Sequence, residues 1–159
     1  MIDETVVIHP NSKIDKDVSI GPYSIIDQDV SIESGTVIGS HVVIKGPTTI
    51  GPNNRIFHFA SIGDDPQDKK FNQDSDSSLI IGSGNTIREY VSINRGTIAG
   101  GGKTVIGNDN WIMAYVHIAH DCIIGNNNTF ANNSAMAGHV TVNDFVTFGG
   151  FTVIHQFCR

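Results

Sequence analysis

Large apolar residues recur along this chain at every sixth position. Isoleucine occupies each sixth position from Ile2 to Ile62, and the pattern resumes from Ile81 to Ile93. It resumes again from Ile106 to Ile154, where Phe, Met and Val replace some of the isoleucines. Four residues after each of these anchors the side chain is usually small or β-branched, and Gly, Asp or Asn often follows the anchor directly. Most of the 159 residues therefore belong to hexads.

A period of six predicts a β-helix rather than a helical bundle or a two-sided sheet. Amphipathic helices repeat every 3.6 residues, and half-buried strands alternate strictly. A hexad fits one side of a triangular prism, with the large residue inside and Gly or Asn at the corner. Stacked coils then form three parallel sheets with strands about 4.8 Å apart. We predict an all-β fold, a left-handed parallel β-helix, as a single domain over residues 1–159.

Two segments interrupt the hexads and predict loop excursions at about 63–80 and 98–105. The spacings from Ile62 to Ile81 and from Ile93 to Ile106 are each one residue more than a multiple of six. The chain is therefore expected to leave the prism twice and to return in phase with the sheets. Insertions in repeat proteins gather on the binding face. The alternative is that they only decorate the surface.

Positions three hexads apart should lie directly above one another, and this places polar residues together. Four histidines fall within three adjacent coils: His117, His120, His139 and His155. His120, Gly138 and Gln156 are predicted to form one column, and Asp121 and His139 the next. Side chains of this kind along one wall of an apolar-cored prism indicate a functional site.

Composition excludes several classes of function. No run approaches the ~20 apolar residues of a membrane span. A net charge of -6 and a pI near 5.5 argue against a nucleic-acid or anionic-membrane surface. The acidic N-terminus has no secretion signal, and two cysteines in such a chain predict the cytoplasm. Cys122 and Cys158 lie two coils apart, about 10 Å, which is too far for a disulfide, and both are expected to be core thiols.

Half of the basic residues cluster near the two interruptions. Five of the ten lie in this region: Lys69, Lys70, Arg88, Arg95 and Lys103. They would form a local anion site or act as solvated surface charges paired with Asp and Glu, and composition does not decide between these interpretations.

Several motifs resemble one family of enzymes. They are "SIGDDPQDKK" (61–70), "IREYVSINRGT" (87–97), "GGGKTVIG" (100–107), "HIAHDC" (117–122), "AGHV" (137–140) and "HQFC" (155–158). In this order they resemble the UDP-N-acetylglucosamine O-acyltransferases that begin lipid A synthesis in Gram-negative bacteria. Hexads alone are shared by many acyltransferases, whereas this series of histidine motifs is specific. The resemblance extends over essentially the whole chain.

The resemblance implies an activity, partners and roles for particular residues. The family is a homotrimer of left-handed β-helices with active sites at subunit boundaries. It moves a 3-hydroxyacyl chain from acyl carrier protein to the sugar 3-hydroxyl, without a cofactor or metal. By motif, His120 would be the general base, Asp121 would orient it, and the Gly138 N–H would stabilise the oxyanion. Asp68 and Lys70 would contact the nucleotide sugar across the boundary.

Four further positions follow from the same resemblance, as does a difference in length. The sugar and phosphate side would be lined by His117, His139, His155 and Gln156. The family continues beyond "HQFC" with more coils and a C-terminal helical domain. The resemblance therefore implies that these 159 residues are a truncated core lacking that domain, whose own activity is an open question.

This chemistry needs a base and an oxyanion donor at one place. A sugar hydroxyl becomes a good nucleophile when a base near neutral pKa takes its proton, typically worth ~10²–10⁴ in rate. A fixed donor for the tetrahedral oxyanion is often worth another ~10² or more. Glycine lets an acyl chain approach its backbone closely. Direct attack in a ternary complex needs no covalent intermediate, so Cys122 is not required as a nucleophile.

Three alternatives remain open at this point. His117, His120 and His139 would supply three imidazoles to a zinc ion that activates water. A sister N-acyltransferase, or an acetyltransferase that uses coenzyme A, would share the hexads. A non-enzymatic or ice-binding solenoid would share the fold, although its flat threonine face is missing here.

Overall fold

The computed structural model describes residues 1–72 and 76–159 of this chain. Within these residues 22 short strands and one 3₁₀ turn, Ile98–Gly100, wind into a three-sided prism. Each strand is only two to four residues long, because every hexad must also supply a corner. Part of the predicted excursion at 63–80, residues 73–75, lies outside the described residues.

Each side of the prism is one parallel sheet that receives one strand from every coil. Sheet 1 contains β1 Val7–Ile8, β4 Ile25–Ile26, β7 Val43–Ile44, β10 Ser61–Asp64, β13 Ser92–Asn94, β16 His117–Ile118, β19 Ala135–Met136 and β22 Val153–Ile154. Sheet 2 contains β2 Lys13–Ile14, β5 Val30–Ile32, β8 Thr48–Ile50, β11 Ser78–Ile81, β14 Lys103–Ile106, β17 Ile123–Ile124 and β20 Thr141–Val142. Sheet 3 contains β3 Ser19–Ile20, β6 Val37–Ile38, β9 Arg55–Ile56, β12 Thr86–Ile87, β15 Trp111–Ile112, β18 Thr129–Phe130 and β21 Thr147–Phe148.

The register of the sheets confirms the period read from the sequence. Ile26 pairs with Ile44 one coil further on, and every strand pair is parallel. After the first interruption Ile81 pairs with Ile50, and after the second Ile106 pairs with Ile81. The extra residues therefore do not shift the anchors, and the chain rejoins the prism in phase.

The hexad anchors form one continuous core along the prism axis. Every anchor from Ile20 to Val142 is buried, whereas those in the first and last coils are partly exposed. A coil inside the stack is covered on both sides, and a terminal coil on one side only. Stability therefore comes from contacts between neighbouring coils, as in other repeat proteins.

The left-handed corner positions are often filled by residues other than Gly or Asn. Asp121 and His139 have φ values of 60° and 63°. Tyr115, with a φ value of 63°, belongs to a row of aromatic residues at the corner between sheets 3 and 1 that have similar values. Such values are uncommon for residues with a Cβ, although Asp and His are enriched among them. Asp121 and His139 thereby lie above one another at the corner between sheets 1 and 2.

A buried ladder of asparagines, which the sequence pattern did not predict, supports the corner between sheets 2 and 3. Its members are Asn54, Asn85, Asn110 and Asn128. The Asn110 backbone and side-chain N–H groups both donate to Asn85 Oδ1 at 2.9 Å. Asn110 Oδ1 in turn accepts from the Asn128 backbone N–H at 2.9 Å. Each side chain thus satisfies backbone groups that would otherwise be buried without partners.

Replacing Asn110 by alanine is expected to lower the free energy of unfolding by roughly 2–4 kcal/mol. The change leaves the Asn128 N–H and the Gly125 carbonyl without the bonds that they make to Asn110, and each buried orphan costs about 1–3 kcal/mol. Urea unfolding followed by circular dichroism measures the loss. Asn126→Ala is the matched control, because Asn126 belongs to an exposed ladder whose bonds water can replace. Equal losses in both variants would contradict the prediction.

The cysteines follow the sequence prediction only in part. Both thiols are free, which confirms the absence of a disulfide, and Cys122 is buried as expected. Cys158 is exposed, so its assignment to the core is wrong. It stands in the last coil of residues 1–159. Among the described residues no helix is long and apolar enough to cross a membrane.

Candidate active site

Both excursions and the histidine wall meet at the corner between sheets 1 and 2. The first excursion connects β10 to β11, the second connects β13 to β14, and both pairs run from sheet 1 to sheet 2. The corner that follows β16 contains His120 and Asp121. The site is therefore built where inserted loops stand beside a regular turn.

His120 and Asp121 form a short, shielded contact. His120 Nδ1 lies 2.7 Å from Asp121 Oδ2. The Asp121 side chain is 1% exposed and that of His120 is 10% exposed. Because Nδ1 faces an acceptor, the imidazole is arranged to keep its Nε2 lone pair for another group. This is the geometry of a base with an orienting acid.

Asp121 is bound mainly by the second excursion. Its Oδ1 accepts from the Thr97 backbone N–H at 2.8 Å, and its Oδ2 accepts from the Thr97 hydroxyl at 2.7 Å. The Asp121 backbone N–H donates to Thr104 Oγ1 at 2.8 Å. The carboxylate is thus hydrogen-bonded on both oxygens.

Gly138 stands one coil beyond His120 and packs against its ring. A Cβ at this position would lie 2.6 Å from His120 Cε1 and 2.8 Å from Nε2. The His139 N–H donates to the His120 carbonyl at 3.1 Å, which fixes the column predicted from spacing. In the described part of the chain, the Gly138 N–H donates to no protein group. Glycine is required here so that the imidazole has room.

Two further histidines surround the pair in different ways. The His139 ring meets His120 edge-on at 5.2 Å and stacks on Phe157 at 4.6 Å. His117 Nδ1 lies 2.7 Å from Ser92 Oγ on the neighbouring strand of sheet 1. Burial lowers the pKa of His117, and the charge of His120 lowers it further. His117 is therefore a neutral hydrogen-bonding group near neutral pH.

A shallow cleft of about 300 Å³ gives access to His117 and His120, whereas Asp121 and His139 do not line it. Its polar lining is contributed by Gln67, His117, His120 and Gln156, and its apolar lining includes Ala119, Ala135, Ala137 and Val153. Gly138 lies in the wall. His155 is not part of this cleft; it lies in the last coil and lines an apolar cleft with Cys158.

Asp68 and Lys70 do not line the cleft that contains His120. They lie in a second cleft, with Phe71 of the same excursion and Thr97 of the other. Arg95 anchors the first excursion, since it donates to Asp65 at 2.8 Å and to the Gly46 carbonyl. Among the described residues of this excursion, Gln67 alone lines the cleft around His120.

The two arginines of the basic cluster are paired with acidic neighbours. Arg95 bonds Asp65, as above, and Arg88 Nε lies 2.8 Å from Glu89 Oε2. Of the two interpretations of this cluster, ion pairing with Asp and Glu therefore applies to these residues.

A metal site is disfavoured by the same hydrogen bonds. Ligand atoms of His120, Asp121 and His139 lie within 4.8 Å of one another. His117, which the zinc hypothesis needs, belongs to no such group among the described residues. A metal ion bound to Asp121 would displace donors that already satisfy both of its oxygens.

Cys122 is expected to resist thiol reagents. Burial raises the pKa of the Cys122 thiol to about 11, and its Sγ donates to the Ala137 carbonyl. Since the thiolate is the reactive form, a disulfide reagent at pH 8 should leave Cys122 intact and, in the 159-residue chain, should modify Cys158 quickly. Peptide mapping by mass spectrometry measures this, and Cys158→Ser should abolish the fast reaction. Rapid modification of Cys122 would contradict the prediction and would make a covalent mechanism through this thiol possible again.

Sequence reasoning missed the residues that the excursions bring to the site. Thr97 belongs to the quoted motif "INRGT", yet nothing in its spacing placed it on Asp121. Gln67 and Ser92 were likewise unassigned. The hexad period could have located Ser92, because β13 is the strand before β16 in sheet 1 and Ser92 pairs with His117. The period does not determine the positions of the loop residues.

The chain is similar to known transferases in sequence. The family model for bacterial transferase hexapeptide (six repeats) matches residues 11–46 and 103–138. An acyl-[acyl-carrier-protein]–UDP-N-acetylglucosamine O-acyltransferase of Xylella fastidiosa is 57% identical over 107 residues, which are 67% of this chain and 40% of that protein. The protein of the same name from Aliarcobacter butzleri is 53% identical over 107 residues, 67% of this chain and 41% of that protein.

Solved structures match over the whole length of this chain. The UDP-N-acetylglucosamine acyltransferase of Francisella novicida superposes with a TM-score of 0.99 at 43% identity, over 100% of this chain and 58% of that one. LpxA from Acinetobacter baumannii gives a TM-score of 0.97 at 50% identity, over 99% and 60%.

These similarities bear out the predicted left-handed β-helix. The chain spans about two fifths of the curated relatives and about three fifths of the solved chains. With its hexads, its coil register and its histidine corner, the chain is a homologue of part of the UDP-N-acetylglucosamine O-acyltransferases and shares the repeats of the bacterial hexapeptide transferases.

Proposed function

We propose that the protein to which this chain belongs transfers a 3-hydroxyacyl group from acyl carrier protein to the 3-hydroxyl of UDP-N-acetylglucosamine, as the first step of lipid A biosynthesis. The observation that carries the proposal is the His120–Asp121 contact of 2.7 Å with Gly138 packed against the imidazole. The relatives described above support it by their names, which give O-acyl transfer from acyl carrier protein to UDP-N-acetylglucosamine and UDP-N-acetylglucosamine acyltransferase activity.

In the proposed mechanism His120 moves one proton twice. Its Nε2 takes the proton of the sugar 3-hydroxyl while that oxygen attacks the thioester carbonyl of the donor. The Gly138 N–H stabilises the tetrahedral oxyanion that forms. When the C–S bond breaks, the imidazolium returns its proton to the departing thiolate of the carrier. Asp121 stabilises the imidazolium between these steps.

The partners follow from the proposed reaction and from the separation of the two clefts. We propose a homotrimer in which Asp68 and Lys70 of one subunit reach the nucleotide sugar at the His120 cleft of the next. Their place in a separate cleft within one chain supports this arrangement. We assign His117, His139 and Gln156 to the sugar and phosphate side. We also assign His155 to this side, although it lines a different cleft in the last coil.

We also propose a cellular compartment, and a place for the acyl-chain groove and the carrier-protein contacts. Two free thiols support a reducing cytoplasm. No nucleic acid and no membrane insertion is proposed. The groove for the acyl chain and the contacts to the carrier protein would involve the coils and the C-terminal helical domain of the longer relatives, so this chain is proposed as the catalytic core.

The test is acyl transfer by the protein extended to the length of its relatives, hereafter the longer protein. With 3-hydroxyacyl carrier protein and UDP-N-acetylglucosamine, the product should be an ester of the 3-hydroxyl. UDP-N-acetylglucosamine lacking that hydroxyl is the matched control and should yield nothing. Acyl transfer only to an amino sugar would favour the sister N-acyltransferase, and loss of activity on chelation would favour the zinc hypothesis.

A further inference from the structure

The Asp121 carboxylate is surrounded by donors that come from one residue outside the His120 corner. Thr97 bonds both oxygens: its N–H reaches Oδ1 at 2.8 Å and its hydroxyl reaches Oδ2 at 2.7 Å. The third donor is His120 Nδ1 on Oδ2. All of these contacts are buried, so water does not substitute for them.

The direction of the Thr97 hydroxyl is set by the turn that follows it. The Gly100 N–H donates to Thr97 Oγ1 at 3.0 Å, and Thr97 caps the 3₁₀ turn Ile98–Gly100. Because this hydroxyl oxygen already accepts a hydrogen bond from the Gly100 N–H, its own O–H donates to Asp121 Oδ2. The bonds therefore run in one direction, from the Gly100 N–H through Thr97 to the carboxylate.

Gly100 also closes the space around the carboxylate. A Cβ at this position would lie 2.1 Å from Asp121 Cγ. The turn is therefore in direct contact with the acid, and only glycine leaves room for it. The second excursion, which the sequence predicts either to lie on the binding face or only to decorate the surface, packs on Asp121, the acid that contacts His120.

We propose that Thr97 is a positioning residue of the acid–base pair, which holds Asp121 so that His120 presents an unprotonated Nε2. Three donors directed at two oxygens hold the carboxylate in a fixed orientation. Because Asp121 Oδ2 lies 2.7 Å from His120 Nδ1 as an acceptor, Nδ1 carries the proton and the lone pair is on Nε2. The tautomer is independent of the substrate; its use on a sugar hydroxyl rests on the proposed function.

The test combines a spectroscopic and a kinetic measurement on the longer protein. Thr97→Val removes the hydroxyl and keeps the N–H and the approximate shape, whereas Thr97→Ser restores the hydroxyl. Labelling with ¹⁵N-histidine reports which nitrogen of His120 is protonated. The wild type should show the Nδ1–H form, and Thr97→Val should add the Nε2–H form. In Thr97→Val, kcat should fall about 10–100-fold at nearly constant KM, and Thr97→Ser should stay within about threefold of the wild type.

Thr104→Val is the matched control for a merely structural effect. Thr104 is fully buried, and its hydroxyl contacts the Asp121 backbone N–H rather than the carboxylate. It should lose stability without a change of the His120 tautomer. Equal tautomer shifts in Thr97→Val and Thr104→Val would overturn the proposal.

Further results test the role of Thr97 even if Thr97→Val does not fold. If Thr97→Val does not fold, a folded Thr97→Ser with more than tenfold loss of kcat would overturn it. A wild type in the Nε2–H form would overturn it without any variant. A longer protein that shows the Nδ1–H form but transfers no acyl group would refute the proposed function and leave the role of Thr97 intact.

Discussion

Replacing His120 by alanine is expected to lower kcat for acyl transfer by the longer protein about 10²–10⁴-fold. The change removes the imidazole that the 2.7 Å contact with Asp121 orients, so the sugar hydroxyl loses its base. KM for UDP-N-acetylglucosamine should change much less, because the other cleft residues remain. Steady-state rates at saturating donor measure the effect.

His41→Ala is the control for that experiment. His41 also occupies a left-handed corner position and packs between aromatic rings, Tyr23 and Phe59. It lies in the early coils, far from the site, and its variant should keep the wild-type rate. If His120→Ala also keeps that rate, the assignment of the base is wrong and the zinc hypothesis takes precedence.

Replacing Gly138 by alanine is expected to cost about 10²-fold or more in kcat while the prism stays folded. The added methyl group would lie 2.6–2.8 Å from two atoms of the His120 ring. The ring must move, and a displacement near 1 Å at the reacting group can cost 10²-fold. The same methyl group crowds the proposed oxyanion donor.

Gly149→Ala is the matched control for Gly138→Ala. Gly149 follows β21 at the corner between sheets 3 and 1, and within these 159 residues a Cβ there would meet Thr152 Oγ1, at 3.8 Å. Thermal unfolding should place the melting temperatures of both variants close to that of the wild type. Full activity of Gly138→Ala would mean that the imidazole does not need its present position.

The fold was predictable because the repeat is regular and each coil contacts only the coils next to it. Once hexads define the coils, each residue contacts the residue three hexads away, so His120 and Gly138 were placed together by counting. The same argument excluded a disulfide between Cys122 and Cys158. It failed for the burial of Cys158, since burial also depends on a neighbouring coil that counting along the chain does not supply.

The candidate site was predictable only where it lies on the prism. Thr97 and Gly100 reach Asp121 through an excursion whose path no hexad determines. Gln67 reaches the cleft in the same way. The motif resemblance named Asp68 and Lys70, but one chain places them in a separate cleft. Their proposed role therefore depends on a subunit boundary, which the sequence of one chain does not describe.

The measurement that tests the central claim most directly is chemical rescue of His120→Ala in the longer protein by free imidazole. If His120 is the general base, the cavity that its side chain leaves should accept imidazole, and the transfer rate should rise with imidazole concentration by about tenfold or more. Gly138→Ala, in which the histidine ring is displaced but still present, should gain nothing. No rise in His120→Ala at any concentration, or an equal rise in both variants, would contradict the account.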